Sequence, residues 1–250
     1  MYRFYVDDNC IYDDRISITG PDVNHIRNVL RMTQGEHIIV NDKAGTDYYC
    51  DIDSVDTDEV TAVITDKKLS EAELPVKLYL FQALPKLDKM ELIIQKAVEL
   101  GVYEVIPVET KRCVVKLDKG TKQQKKLARW QTIAEAAAKQ SARGIIPQVK
   151  MPMSFSESLK YAAQLEYNMI PYEHAEGMKA AERSMDTAVS SGSAGIFIGP
   201  EGGFEDKEIE AAVAAGVNVI SLGKRILRTE TAGMAVLSIL MFEIESRYGI

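Results

Sequence analysis

Apolar and polar residues alternate with a period of two over much of residues 1–72, the pattern of strands that bury one face. Tyr2–Val6, Arg15–Ile18, Glu36–Asn41, Tyr48–Val55 and Glu59–Thr65 read as strands, parted by Asp, Gly and Asn turns. Behind Pro21, a residue suited to a first helical turn, Val23, Ile26, Val29 and Leu30 recur at helical spacing. The pattern predicts a small β-barrel-like module. The polar stretch Lys67–Pro75 ends in proline and reads as its linker, which puts a domain boundary at 72/73.

Beyond the linker the period changes. Val76–Leu84, Val102–Val108, Tyr167–Pro171, Gly195–Ile198 and Val217–Leu222 read as strands. Leu87–Leu100, Thr121–Ser141, Asp206–Ala215 and Thr231–Arg247 read as helices. Trp130 and Ile133 mark the apolar face of the long one. Alternating strands and helices predict an α/β domain with a parallel sheet covered on both faces. The last helix carries Met234, Val236, Leu237, Ile239, Leu240, Met241, Phe242 and Ile244 with little polar surface. A helix that is apolar nearly all round is expected to be buried, in the core or against a second copy.

Composition narrows the class. The 250 residues suffice for one large or two unequal domains. No apolar run approaches the roughly 20 residues that span a bilayer, and Met1–Val6 reads as a strand rather than a signal peptide. Cys10, Cys50 and Cys113 are widely spaced and expected to be free thiols of a cytoplasmic protein. His25, His37 and His174 lack metal-ligand spacing, so no metal is expected. The net charge is −7, yet residues 1–72 alone carry −8 and the remainder +1. Within 111–143 ten basic residues face only Asp118 and Glu135. A local stripe of this kind can grip phosphates, and it can equally be a solvated helix face.

Two loops carry the candidate chemistry. Gly199-Pro-Glu-Gly-Gly203 follows one strand, and Leu222-Gly-Lys-Arg-Ile-Leu-Arg-Thr-Glu230 follows another. Paired loops at strand ends of an open α/β sheet form small-molecule crevices. Neither loop is a Walker motif or a dinucleotide fingerprint, and Glu201 would repel a pyrophosphate. Pro200 fixes the backbone, while Gly202 and Gly203 permit close approach. Arg225 and Arg228, with Ile226 and Leu227 between them, suit a polar or anionic group beside an apolar or aromatic ring.

The two loops together resemble the SPOUT class of S-adenosylmethionine-dependent methyltransferases. More narrowly, the chain is similar to the bacterial 16S ribosomal RNA uridine-N3 methyltransferases, the RsmE family. The likeness runs through Arg3–Val6, His25 with Val29–Arg31, Leu84–Lys86 with Lys89–Glu91, Ile94–Lys96, Glu99–Val102, Trp130, Glu135–Ala137, Gln140-Ser141, Arg143 and Ile146-Pro147, and ends in the two loops. Glu205 departs from it, standing where relatives often carry a Ser or Thr helix cap.

The resemblance implies a small PUA-like β-barrel for RNA placement, followed by a SPOUT-type parallel sheet with a trefoil knot. It also implies a homodimer. Its cofactor site maps to Pro171, Tyr172, Gly199, Pro200, Glu201, Gly202, Leu222, Gly223, Ile226, Leu227 and Thr229. Methylating a uridine N3 requires removing a weakly acidic proton. Arg228 is therefore expected to stabilise charge on the uracil carbonyls, and Glu201 or Glu230 to accept the proton or orient a reactant. Glu201 is equally suited to the cofactor's amino group or ribose, and Glu230 to the helix dipole. Arg27, Arg31, Lys122, Lys125, Lys126, Arg129, Gln140 and Arg143 are the candidate RNA contacts. A sister enzyme acting on tRNA, or a noncatalytic assembly factor, remains open at this point.

Overall fold

The computed structural model describes residues 1–116, 120–175 and 177–250. The basic stripe's Lys119, with Asp118, falls outside the described residues. The chain divides into two compact units, Met1–Glu73 with Ala138–Ile146, and Leu74–Ala137 with Pro147–Ile250. A boundary drawn along the sequence leaves 138–146 with the second unit, whereas in space this segment belongs to the first.

The first unit is a five-stranded sheet built from β1 (Tyr2–Tyr5), β2 (Arg15–Thr19), β3 (His37–Asn41), β4 (Thr46–Val55) and β5 (Glu59–Leu69). Their order is β1-β3-β4-β5-β2, parallel only between β1 and β3. Alternate side chains such as Ile16, Ile18, Ile38, Val40, Val60 and Ala62 fill one core. β5 continues to Leu69, taking three residues expected in the linker, because Thr46–Tyr48 of β4 pair with Lys67–Leu69.

Helix α1 is only Pro21–Asn24 and gives way to a π-helical turn at His25–Leu30. The i→i+5 bonding of that turn rotates the apolar face. Val23 and Ile26 enter the core as expected, but Val29 is 61% exposed. Segment 138–146 completes this unit. The Tyr5 hydroxyl donates to the carbonyls of Arg143 (2.7 Å) and Ala138 (3.3 Å). Burial, foremost, raises that phenol's pKa to about 12.

The second unit contains β6 (Lys77–Ala83), α2 (Lys89–Glu99), β7 (Val102–Glu109), α3 (Thr121–Gln140) as far as Ala137, β8 (Gln148–Val149), β9 (Met153–Ser154), α4 (Phe155–Ala162), β10 (Tyr167–Pro171), α5 (Met178–Val189), β11 (Ser193–Ile198), α6 (Asp206–Ala214), β12 (Asn218–Ile220) and α7 (Thr229–Tyr248). The sheet runs β12-β10-β11-β6-β7-β8, parallel throughout, with β9 also beside β7. Stacked Phe81 and Phe197, 4.4 Å apart, anchor one core cluster with Phe155 and Phe204.

Helix α2 begins at Lys89 rather than Leu87. Leu87 takes φ +56° and is 85% exposed, so it cannot open the helix. Helix α7 begins at Thr229, two residues earlier than expected, with Arg228 in extended conformation at its cap. Its burial is one-sided: Val236, Leu237, Leu240 and Ile244 are in the core, whereas Phe242 is 67% and Ile239 44% exposed. At α6, Glu208 reaches back to accept the Glu205 backbone N–H at 2.9 Å. The helix start is thus satisfied without a Ser or Thr cap. Among the described residues no helix is long and apolar enough to cross a membrane, and the three cysteines are free.

Candidate functional site

Strands β12, β10, β11 and β6 are neighbours and parallel, so their C-terminal ends share one edge of the sheet. The segments leaving these ends, Pro171–Glu173, Gly199–Phe204, Leu222–Thr229 and the stretch from Leu84 to Lys89, are thereby gathered although they span 145 positions of sequence. The crevice beyond the strands' carboxyl ends is where open α/β sheets bind ligands.

A cavity of about 660 Å³ lies there. It is lined by all eleven expected cofactor residues: Pro171, Tyr172, Gly199, Pro200, Glu201, Gly202, Leu222, Gly223, Ile226, Leu227 and Thr229. Arg228 lines it too. Lys89, Glu173, Phe204 and Ala232 also line it, although none was expected to hold the cofactor. Lys89 enters the sequence reading only as part of the family-like run Lys89–Glu91 inside an expected helix.

Backbone geometry shapes the first loop. A Cβ on Gly199 would sit 3.2 Å from the Phe204 ring and 3.3 Å from Gly203 Cα, and Gly203 itself has φ +68°. The loop is pinned from three directions. Thr229 Oγ1 donates to the Gly199 carbonyl at 2.6 Å, and the buried Gln82 amide donates to that same hydroxyl at 2.9 Å. Arg112 donates to the Gly202 carbonyl at 2.8 Å. The Lys86 backbone N–H donates to Glu201 Oε1 at 3.1 Å. Tyr172 donates to Asp206 at 2.6 Å, tying the β10 loop to the start of α6.

The charges pair selectively. Lys89 Nζ lies 3.2 Å from Glu201 and 3.2 Å from Glu230. Burial works against the ionised Glu201 carboxylate. Hydrogen bonds from its own backbone N–H, from Lys86 N–H and from Lys89 outweigh that and hold its pKa below the ordinary value. Lys89 is held above its own ordinary value, chiefly by Glu201 and next by Glu230. Among the described residues Arg225 and Arg228 form no salt bridge, so both guanidiniums remain available at the cavity.

The expected RNA contacts separate into two groups. Arg27, Arg31 and Gln140 are exposed in the first unit, and Lys122, Lys125, Lys126 and Arg129 are exposed on α3 in the second. Lys126 lies over the Trp130 ring at 5.2 Å, and Arg129 forms a fork-like pair with Glu91 at 2.8 Å. Arg143 is different and corrects the expectation. Its side chain is 4% exposed and its guanidinium donates twice to Glu73, at 2.8 and 2.7 Å. Held so, it braces the first unit rather than reaching a phosphate. Among the described residues no cluster of His, Cys, Asp or Glu has the makings of a metal site.

Residues 72–241 match the family described as RNA methyltransferase domain, and 18–65 that described as RNA methyltransferase PUA domain. The chain is 40% identical over 234 residues to ribosomal RNA small subunit methyltransferase E of Bacillus subtilis, covering 92% of this chain and 90% of that protein. It is 34% identical to the protein of that name from Mesomycoplasma hyopneumoniae, over 95% and 98%. The crystal structure of ribosomal RNA small subunit methyltransferase E from Neisseria gonorrhoeae bound to S-adenosyl methionine superposes with a TM-score of 0.81 at 31% identity, over 97% and 98%.

Proposed function

Since the chain belongs to the ribosomal RNA small subunit methyltransferase E family, we propose that it methylates N3 of a uridine in 16S ribosomal RNA. It is an S-adenosylmethionine-dependent RNA methyltransferase. The observation that carries the assignment is the single cavity formed by both glycine loops at the strand ends.

The cavity suits S-adenosylmethionine in size and chemistry. Its volume lies within the usual range for small-molecule sites. Ile226, Leu227, Ala232 and the Tyr172 ring offer apolar surface to an adenine, and the glycine loop leaves backbone groups accessible beside it. Glu201 and Glu173 supply carboxylates for the amino and sulfonium charges. When bound, the cofactor supplies an electrophilic methyl group.

The chain's own residues then perform three tasks. The pinned loops fix the reactant's position, a contribution of roughly 7–11 kcal/mol where geometry is near attack. Arg228, exposed and without a salt bridge among the described residues, offers its guanidinium to charge growing on the uracil carbonyls as the N3 proton passes to solvent water. Glu201, fixed by three donors, orients rather than deprotonates. RNA is held by Lys122, Lys125 and Lys126 on α3, with Arg27 and Arg31 of the PUA-like unit. Exposed Ile239 and Phe242 on α7 favour a homodimer buried along that helix. The family likeness supports a trefoil knot around the α7 start and a cytoplasmic location.

The test uses small ribosomal subunits lacking the modification, incubated with the protein and methyl-labelled S-adenosylmethionine, then digested for mass spectrometry. Labelled N3-methyluridine in 16S RNA supports the proposal. Label in tRNA alone replaces the substrate, and no label with no cofactor bound makes the protein a binding factor.

A further inference from the structure

Lys89 stands at the first residue of α2, where a helix dipole disfavours a cation. Lysine there violates a local preference, and such violations concentrate at functional sites. Two carboxylates from elsewhere in the chain offset it: Glu201, from the loop after β11, and Glu230, from the first turn of α7. The ammonium lines the cavity, with its side chain 27% exposed. Glu230 Oε2 is buried and, among the described residues, has no hydrogen bond beyond this ion pair. Around the cavity Lys89 is the cation committed to carboxylates, whereas Arg225 and Arg228 are uncommitted among the described residues.

We infer that Lys89 is a positioning residue of the cofactor site: its ammonium ties the Glu201 loop to the start of α7 and so fixes the Glu201 carboxylate for the ligand. The inference deepens the methyltransferase reading and rests on it. Without the ammonium, two carboxylates face the same space and repel, and each of the two loops loses one anchor. Thr229–Gly199 and Lys86–Glu201 still close the site. The loss is therefore one of geometry and affinity rather than of fold.

The experiment is a double-mutant cycle on the full chain, using Lys89→Met and Glu201→Gln, singly and together. Binding of S-adenosylhomocysteine is read by calorimetry, kcat and KM on modification-free small subunits by label transfer, and folding by thermal melting. Lys89→Met is expected to weaken S-adenosylhomocysteine binding roughly tenfold or more. That effect should largely vanish in the Glu201→Gln background, and Lys89→Arg should recover most of the binding. A loss of the same size in both backgrounds, or no loss in Lys89→Met, overturns the inference. Should Lys89→Met not fold, Lys89→Gln is read by the same criteria. Wild-type protein that neither binds S-adenosylhomocysteine nor transfers a methyl group to any RNA overturns the methyltransferase reading instead.

Discussion

The Thr229 hydroxyl donates to the Gly199 carbonyl at 2.6 Å while accepting from Gln82, so one side chain joins the two glycine loops of the cavity. Thr229 is 4% exposed, and its hydroxyl is already spent inside the protein. Thr229→Val keeps the shape and removes the hydroxyl, at a cost of about 1–3 kcal/mol for the buried groups left unpaired. A lower melting temperature and weaker S-adenosylhomocysteine binding are expected, with Thr229→Ser close to wild type in both. Unchanged binding by the Val variant would show that the loops hold together without this bond.

Arg228 lines the cavity and is exposed. Arg228→Ala should therefore retain cofactor binding within about threefold and lose roughly 10²–10³ in kcat, the range for one removed electrostatic stabiliser. Parallel calorimetry and label transfer separate the two effects. Normal turnover removes Arg228 from the mechanism.

The Lys89–Glu201 pair sets a pH window. Glu201 has a folded pKa below its ordinary 4.5, so its contribution is complete above that value and is lost as pH falls through the lower folded one. Lys89 has a folded pKa above its ordinary 10.5, so its contribution is complete below that value and is lost as pH rises through the higher folded one. S-adenosylhomocysteine affinity is expected to stay level from about pH 5 to 10 as far as these groups govern it. A calorimetric titration across that range with a midpoint near 7 would assign control to another group.

Arg143 and the α3 lysines should respond in opposite ways. Arg143→Ala leaves the Glu73 carboxylate without its bidentate partner and should cost on the order of 3 kcal/mol in stability. Its slope of log affinity for RNA against log salt should not change. Neutralising Lys122, Lys125 and Lys126 should barely move the melting temperature but flatten that slope by about 2. A slope unchanged by the triple substitution would make the stripe a solvated face.

Periodicity located most strands and the strand–helix alternation, and β10 was read with its observed bounds, Tyr167–Pro171. Both glycine loops were legible because each follows an apolar run and carries charges that a plain turn has no use for. Two of the elements that escaped are very short. β8 and β9 have two residues each. α5 was missed although Ala181, Met185, Ala188 and Val189 recur at helical spacing on its buried face. α4 did carry a start signal, Ser154 with Glu157, whose reciprocal bonds form a capping box. Lys89 and Glu230 are 141 positions apart, and Arg143 and Glu73 are 70 apart. Composition marked Arg143 as basic, but its burial depends on a carboxylate that only the fold brings near.

The first unit is closed by a segment drawn from well beyond its own stretch of chain, Ala138–Ile146. During synthesis, Glu73 and Tyr5 leave the ribosome with neither Arg143 nor the Ala138 carbonyl yet made. At roughly 5–20 residues per second, their partners follow several seconds later. The module that begins the chain is thus not the first to be finished. A truncation after residue 73 would release a sheet whose Tyr5 hydroxyl and Glu73 carboxylate have lost these partners, and a cut after 146 would carry along 74–137 of the second unit, so no single cut isolates this module.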